Sequence, residues 1–258
     1  MHSQRLSDLL KRDVPSDPMI TGVTADSRRV DAGSLFVALP GTVQDGRAFI
    51  PQALARGAAA VLAPTDTPVG TAPVLVTAGD VRRAYALAAR GFYGAQPKTS
   101  VAVTGTNGKT PAAKLIEQVL IGAQRETRLA GKVDCPIGDS VDGSKELDYL
   151  ILAVNSFQLE LTQFFSPTVA VVTNIAPDHM DHYGSMAEYV KAKARIFANQ
   201  QPFDWAIIQS EALAQIRSLG IEIPSKIITF SASNRRADIS LARGLIVSRV
   251  PGWEGPLM

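Results

Sequence analysis

Gly105-Thr106-Asn107-Gly108-Lys109-Thr110 is the segment whose residue types and spacing most directly suggest chemistry. Glycines let backbone N–H groups close around a phosphate, a lysine brings charge to it, and a hydroxyl one residue on can ligate Mg2+. A β-branched run, Ser100 to Thr104, leads into the glycines, and Ala112 to Leu120 reads as a helix. Strand, turn and helix therefore follow in the order a phosphate site needs. The strict phosphate-loop pattern asks for glycine where Val103 stands. Pro111 falls in the first helical turn, where a missing N–H is tolerated although one donor near the phosphates is lost. The plain alternative is a glycine turn ahead of an ordinary helix.

A second group lies beyond the apolar run Pro167 to Thr173, where Asn174 precedes Asp178-His179-Met180-Asp181. Ligands gather at the carboxyl ends of parallel strands, so His179 is a candidate ligand and Asn174 a weaker candidate beside it. Taken from the residues alone, Lys193, on a helix read over Ala187 to Phe197, is a solvated helix-face lysine, and His182 is a surface residue.

The elements that must position these groups alternate between strand and helix patterns. Ser34 to Leu39, Ala58 to Ala63 and Val74 to Thr77 read as strands, and Phe49 to Arg56 as a helix. Val81 to Tyr93 places Val81, Tyr85, Ala88 and Phe92 on one helical face. Gly94-Ala95-Gln96-Pro97 breaks the pattern and marks a domain boundary. Further on, Leu147 to Val154 and Pro167 to Thr173 are near-continuous apolar strands, as in a parallel sheet covered on both faces. Trp205 to Gln209 and Lys226 to Phe230 are two more strands, and a short strand near Leu245 precedes a loop over Pro251 to Pro256. The expected fold is α/β: a small N-terminal α/β domain over residues 1–96, then a central phosphate-loop domain over 97–258 with a mostly parallel sheet flanked by helices.

Composition narrows the classes. The 258 residues leave room for two domains, and 46% hydrophobic with 19% charged residues suits a packed core rather than disorder. Twenty-six basic and 24 acidic residues are interspersed, so no polybasic block points to nucleic acid or a membrane surface. One cysteine, Cys135, forms no internal disulfide, and with three histidines it makes no zinc site of the usual structural type. Met1 to Asp17 carries Arg5, Asp8, Lys11, Arg12 and Asp13 and lacks the apolar run of a signal peptide or spanning helix. The cytoplasm is the expected compartment.

The loop Thr104 to Thr110, then Thr173 to Asp181, then Lys193-Ala194-Arg195-Ile196-Phe197 together resemble the Mur ligase family. The resemblance implies ATP-dependent amide ligation in peptidoglycan precursor synthesis: ATP phosphorylates a carboxylate to an acyl phosphate, which an amino-acid amine attacks to give amide, ADP and phosphate. It implies further that Lys109 and Thr110, with the Gly105, Thr106, Asn107 and Gly108 loop, serve ATP, for which Asn174 is a weaker candidate from its place at the strand end. By the same resemblance Thr110 and His179 serve Mg2+, and Lys193 is carbamylated, which turns a cation into an anionic oxygen ligand of the kind hard cations prefer.

Thr24-Ala25-Asp26-Ser27-Arg28, Gly33 to Ala38 and Asp45-Gly46-Arg47 resemble the uridine-nucleotide-binding domain of the family's tripeptide synthetases. Carried over, Ser27 and Arg28 are nucleotide contacts, Asp45 and Gly46 weaker ones, and the implied partner is a UDP-N-acetylmuramoyl-peptide precursor. The competing reading is that these triplets only cap and close loops. From about Lys132 onward, Ser156-Phe157-Gln158-Leu159-Glu160 resembles the family's D-glutamate ligases instead.

Three positions depart from that pattern. Ala153 stands where a Mg2+-holding glutamate is expected, and Lys132 and Asp134 replace an asparagine and a glycine. The family's third domain, which binds the incoming amino acid, has no counterpart before Met258, so a separate C-terminal domain or chain is an implied partner. The alternative to a ligase is therefore a binding module, or an engineered composite of two such ligases, that keeps the fold without turnover. A phosphate-loop GTPase or kinase of another family lacks its other motifs.

Overall fold

The computed structural model describes residues 3–41, 44–94, 97–131, 137 and 144–257. Lys132, Asp134 and Cys135, singled out above, lie outside the described residues. The chain divides into two units, Met1–Ala95 and Gln96–Met258.

The first unit runs β1 (Gln4–Arg5), α1 (Leu6–Leu10), β2 (Met19–Ile20), β3 (Gly22–Thr24), β4 (Ser34–Val37), α2 (Ile50–Ala55), β5 (Ala60–Pro64), β6 (Leu75–Ala78) and α3 (Val81–Tyr93). Strands β3-β4-β5-β6 form a parallel sheet in sequence order. Its central strands are apolar over Leu35–Val37 and Ala60–Ala63 because both faces are covered. Leu35, Val37, Ala60 and Leu62 pack into one cluster with Val81, Ala88 and Phe92 of α3, while Phe36, Ala38, Val61 and Ala63 pack with Ile50 and Ala53 of α2 on the other side. Asp80 caps α3 by accepting from Arg83 N at 2.9 Å. The expected helix from Phe49 begins instead as a 3-10 turn over Gly46–Phe49, which Asp45 caps.

The second unit runs β7 (Thr99–Thr104), α4 (Lys109–Gly122), β8 (Thr127–Ala130), β9 (Tyr149–Ala153), α5 (Ser156–Glu160), β10 (Val169–Val172), α6 (Met186–Ala194), β11 (Trp205–Gln209), α7 (Ser210–Ser218), β12 (Lys226–Ser231), β13 (Ile239–Ala242), β14 (Leu245–Ser248) and β15 (Gly255–Pro256). Among the described residues these strands make one sheet in the order β15-β14-β13-β12-β11-β10-β7-β9-β8. Pairing is parallel from β8 through to β13 and antiparallel at β13-β14-β15.

Alternation of side chains sorts the strands between two cores. Val101, Val103, Ile151, Ala153 and Val171 face Ala113 of α4, and Ala102, Leu150, Leu152, Ala170 and Val172 face the residues of α6 and α7.

Three further sequence expectations change. The tail is not loop throughout, because Gly255–Pro256 pairs antiparallel with β14. The helix expected to run to Phe197 ends at Ala194 and tightens into a 3-10 turn over Arg195–Phe197. Lys193 is not a solvated lysine: only 1% of its surface is exposed, because it sits on the face of α6 that turns inward with Tyr189. Among the described residues no helix is long and apolar enough to cross a membrane.

Candidate functional site

Strands β7 and β10 are neighbours in register, Val172 opposite Thr104, so the segments leaving their carboxyl ends emerge side by side. From β7 comes the glycine loop, and from β10 come Thr173, Asn174 and the stretch to His179. The two are laced together. Thr173 N donates to Thr104 O at 2.9 Å, Thr106 N to Asn174 O at 3.1 Å, and Asn107 N to Asn174 Oδ1 at 2.9 Å. Asn107 O in turn accepts from Asn174 Nδ2 at 3.0 Å and from Thr173 Oγ1 at 2.6 Å.

Gly105 and Gly108 are required by geometry. Gly105 has φ +152°, and a Cβ there would collide with Thr173 Oγ1. Gly108, at φ +79°, is the residue before the first turn of α4, a left-handed position that glycine occupies without strain. The helix then opens at Lys109-Thr110, so its first N–H groups and the positive end of its dipole face the loop. Pro111, third in the helix, gives up a donor that has no intrahelical partner there.

Lys109 Nζ folds back onto the loop, donating to Gly105 O at 2.7 Å and Thr106 O at 3.3 Å. Burial lowers its pKa, and the negative charge of Asp178 pulls the other way. Lys193 feels more of the same. Burial first, then repulsion from Lys109, depress its pKa to about 7 against the attraction of Asp178. Two lysines from different helices thus share one carboxylate in one electrostatic neighbourhood. Asp178 also pairs with His179 Nε2 at 3.0 Å.

His179 adopts φ +106°, a backbone conformation rare for a residue with a side chain. Its ring lies 5.2 Å from that of Phe157 and 6.1 Å from that of Tyr189. Phe157 is set by α5, whose start is closed by a capping box: Asn155 Oδ1 accepts from Gln158 N and Gln158 Oε1 from Asn155 N, both at 2.9 Å. His182, half exposed, stands 3.3 Å from Glu160.

Two residues at this site carry no role in the motif reading. Tyr189, fully buried, contacts Thr106 through its hydroxyl at 3.2 Å and holds Lys193 Nζ 4.6 Å from its ring centroid. Burial raises its phenol above the ordinary value. Asp178 is the second, the acid between the lysines. The signal for Tyr189 is its spacing, four residues before Lys193 on a helix, which puts both on one face.

Ala153 sits at the end of β9 opposite Val103, its methyl in the apolar cluster under α4. Among the described residues no group of three or more His, Cys, Asp and Glu side chains gathers as a metal cluster would.

In the first unit the candidate nucleotide contacts are held by their own neighbours. Ser27, buried, donates from Oγ to Gln52 Oε1 at 2.7 Å. Arg28 is largely exposed and forms a two-pronged pair with Asp26, Nε to Oδ1 at 2.9 Å and Nη2 to Oδ2 at 2.8 Å. Asp45 accepts from Arg47 N and pairs with its guanidinium, which holds the Asp45 carboxyl below the ordinary range. Arg47 also reaches Asp66 at 2.8 Å. Gly46 N donates to Leu39 O at 2.9 Å, and a Cβ on Gly46 would meet the Leu39 backbone at 2.6 Å. Capping and loop closure are what these groups do in the chain itself.

A mostly parallel sheet with a glycine loop feeding a helix, and a charged cluster at the same strand ends, defines a phosphate-loop α/β protein. A family model described as the Mur ligase middle domain matches residues 103–249, and one described as the Mur ligase family catalytic domain matches residues 19–107. The chain belongs to the Mur ligase family.

Among its relatives, the UDP-N-acetylmuramoyl-L-alanyl-D-glutamate–2,6-diaminopimelate ligase of Caulobacter vibrioides is 37% identical over 227 residues, covering 78% of this chain and 47% of that protein. The UDP-N-acetylmuramoylalanine–D-glutamate ligase of Pelotomaculum thermopropionicum is 38% identical over 154 residues, 59% of this chain and 33% of its own length. The MurF ligase of Thermotoga maritima, solved in complex with ADP, superposes with a TM-score of 0.70 at 22% identity, over 93% of this chain and 56% of that one. The chain spans about half the length of the diaminopimelate ligases it matches.

Proposed function

We propose that this chain binds ATP and a UDP-N-acetylmuramoyl-peptide precursor as the first two domains of an ATP-dependent amide ligase, residues 1–96 taking the uridine nucleotide and 97–258 the ATP. The observation that carries the proposal is the convergence of the Gly105–Gly108 loop, the amino end of α4, Lys109, His179 and Lys193 at the carboxyl edge of β7 and β10. In that arrangement loop N–H groups and Lys109 hold the phosphates, and Lys109 exchanges its bonds to Gly105 O and Thr106 O for phosphate oxygens. Relatives whose names specify UDP-N-acetylmuramoyl substrates, and a relative solved with ADP, support the ligand classes.

Lys193 suits a carbamate. At a pKa of about 7 it offers a neutral amine near neutrality. The lone pair of the neutral amine attacks the carbon of CO2, an N–C bond forms as one C=O π bond breaks onto oxygen, the proton on nitrogen passes to water, and an N-carboxylate replaces the amine. The donor set is thin for a closed metal cage and fits a Mg2+ that takes most of its oxygens from phosphates and water. Thr110, His179 and a carboxylated Lys193 are the residues that would hold it. Bound there, the ion would offset phosphate charge. In the first unit, Ser27, Arg28, Asp45 and Gly46 would meet the uridine nucleotide by exchanging internal partners for it.

A second reading, a chain that keeps nucleotide affinity without turnover, is favoured by Ala153, a buried methyl at the position where the D-glutamate-ligase pattern has a carboxylate. An engineered composite would read the same way.

Calorimetric titration with ADP and Mg2+ tests the shared part of both readings. Binding that Lys109→Ala weakens by at least about tenfold, the loss of one charge-assisted contact, supports it. Absence of binding, or equal binding by Lys109→Ala, refutes it.

A further inference from the structure

We infer that Tyr189 is a positioning residue that ties the phosphate loop to the helix carrying Lys193, its hydroxyl donating to Thr106 Oγ1 while its ring lies against Lys193 Nζ. The direction of that hydrogen bond follows from counting. Thr106 Oγ1 donates to Ala176 O at 3.0 Å and accepts from Ala176 N at 3.0 Å. A hydroxyl has one proton to give and two lone pairs to receive with. The Thr106 proton is spent on Ala176 O, so the 3.2 Å contact with Tyr189 must be a donation from the phenol.

Those three bonds use the full capacity of Thr106 Oγ1, and they fix the χ1 of a residue whose own amide is held by Asn174 O at 3.1 Å. Thr106 is therefore pinned by its backbone and by its side chain. Of the bonds to its hydroxyl and its amide, the phenol bond comes from α6 and the others from the segment leaving β10, while its carbonyl accepts from Lys109 Nζ at the start of α4.

The other end of Tyr189 is set with equal economy. Lys193 follows by four residues, and its Nζ stands 4.6 Å from the ring centroid. The ring stands T-shaped to that of His179, with centroids 6.1 Å apart, and also meets Tyr183 at 5.1 Å between centroids. Tyr189 is among the largest fully buried side chains of the chain, so it has no room to swing away. A displacement of the loop as phosphates enter is thus transmitted to the helix position from which Lys193 projects. This goes beyond assigning Lys109 and Lys193 separate roles. It says what keeps them in step.

The test compares the parent chain with Tyr189→Phe, Thr106→Val and the double variant, by amide hydrogen exchange without ligand and by titration with ADP and Mg2+. Tyr189→Phe keeps the ring and removes only the donor. The expected result is exchange three- to tenfold faster over residues 105–108, with β7 and β10 unchanged, and ADP affinity lower by about the same factor, as for one lost neutral hydrogen bond. The double variant should be no worse than the poorer single, because Thr106→Val, which removes all three hydroxyl bonds, already removes the one that Tyr189→Phe removes.

Parental exchange in Tyr189→Phe, acceleration spread evenly over the sheet, or effects that multiply in the double variant would each overturn the inference. Its ADP arm rests on the phosphate-loop reading proposed above, and its exchange arm does not. If Lys109→Ala leaves ADP binding intact, that reading fails, and exchange alone decides the Tyr189 link.

Discussion

Asn174 holds the peptide units of Asn107 from both sides, its Oδ1 accepting from Asn107 N at 2.9 Å and its Nδ2 donating to Asn107 O at 3.0 Å. A side-chain amide that pairs with a backbone donor and acceptor at once copies one rung of a β-ladder. It does so between two segments that are not strands. The loop is therefore shaped before any ligand arrives, which lowers the ordering cost of binding.

Asn174→Ala removes both bonds and leaves Asn107 O with Thr173 Oγ1 alone. The expected loss is about 1–2 kcal/mol of stability, read from the denaturant midpoint, with ADP affinity falling alongside. Unchanged affinity at reduced stability would show the clamp to be structural only.

Gly105→Ala should cost about 1–3 kcal/mol for its backbone conformation and abolish ADP binding, since the methyl collides with Thr173 Oγ1. The collision makes a specific forecast. Adding Thr173→Ala to Gly105→Ala should recover part of the lost melting temperature, and simple additivity of the two losses would exclude the collision as the cause.

Lys193 supplies a pH dependence whose sign is fixed by its depressed pKa. Between about 7, its folded value, and 10.5, the ordinary lysine value, the unfolded chain binds the extra proton, so stability rises with pH across that window. The gain is complete above the ordinary value and disappears as pH falls through about 7. Lys193→Met, which removes the titrating group, should flatten melting temperature against pH from 7 to 10 in CO2-free buffer. A slope equal to the parent's in that variant would assign the dependence elsewhere.

Ala153→Glu introduces a carboxylate beside Val103 and Ala113 in an apolar cluster. Without a counter-ion it should destabilise the chain by on the order of 2 kcal/mol or more. On the ligase reading, ADP with Mg2+ should restore more melting temperature to this variant than ADP alone does. An identical response with and without Mg2+ would favour the binding-only reading.

Much of this protein is legible in one dimension, because the forces responsible act over a few residues. Helix α3 is found at Val81–Tyr93 from its 3.6-residue period, and β11 at Trp205–Gln209 from a short apolar run. Gly105 and Gly108 announce backbone that only glycine occupies freely, at φ +152° and +79°. The elements that escape the sequence are those with weak local signals, such as α7, which starts at Ser210 behind a Gln209 that makes no side-chain cap, and β15, whose two residues become a strand only by pairing with β14.

The site itself divides the same way. Residue types and spacing selected Lys109, Thr110 and His179, and only the family resemblance added Lys193. Only the tertiary structure decided that Lys193 is buried and repelled by Lys109, that Asn174 spends its side chain on the loop, and that Tyr189 stands between Thr106 and Lys193. The physical reason is that burial and partnership depend on which face of α6 meets the ends of β7 and β10. That choice is made by packing between residues more than 80 positions apart in the chain, as Thr106 and Tyr189 are, and no local pattern encodes it.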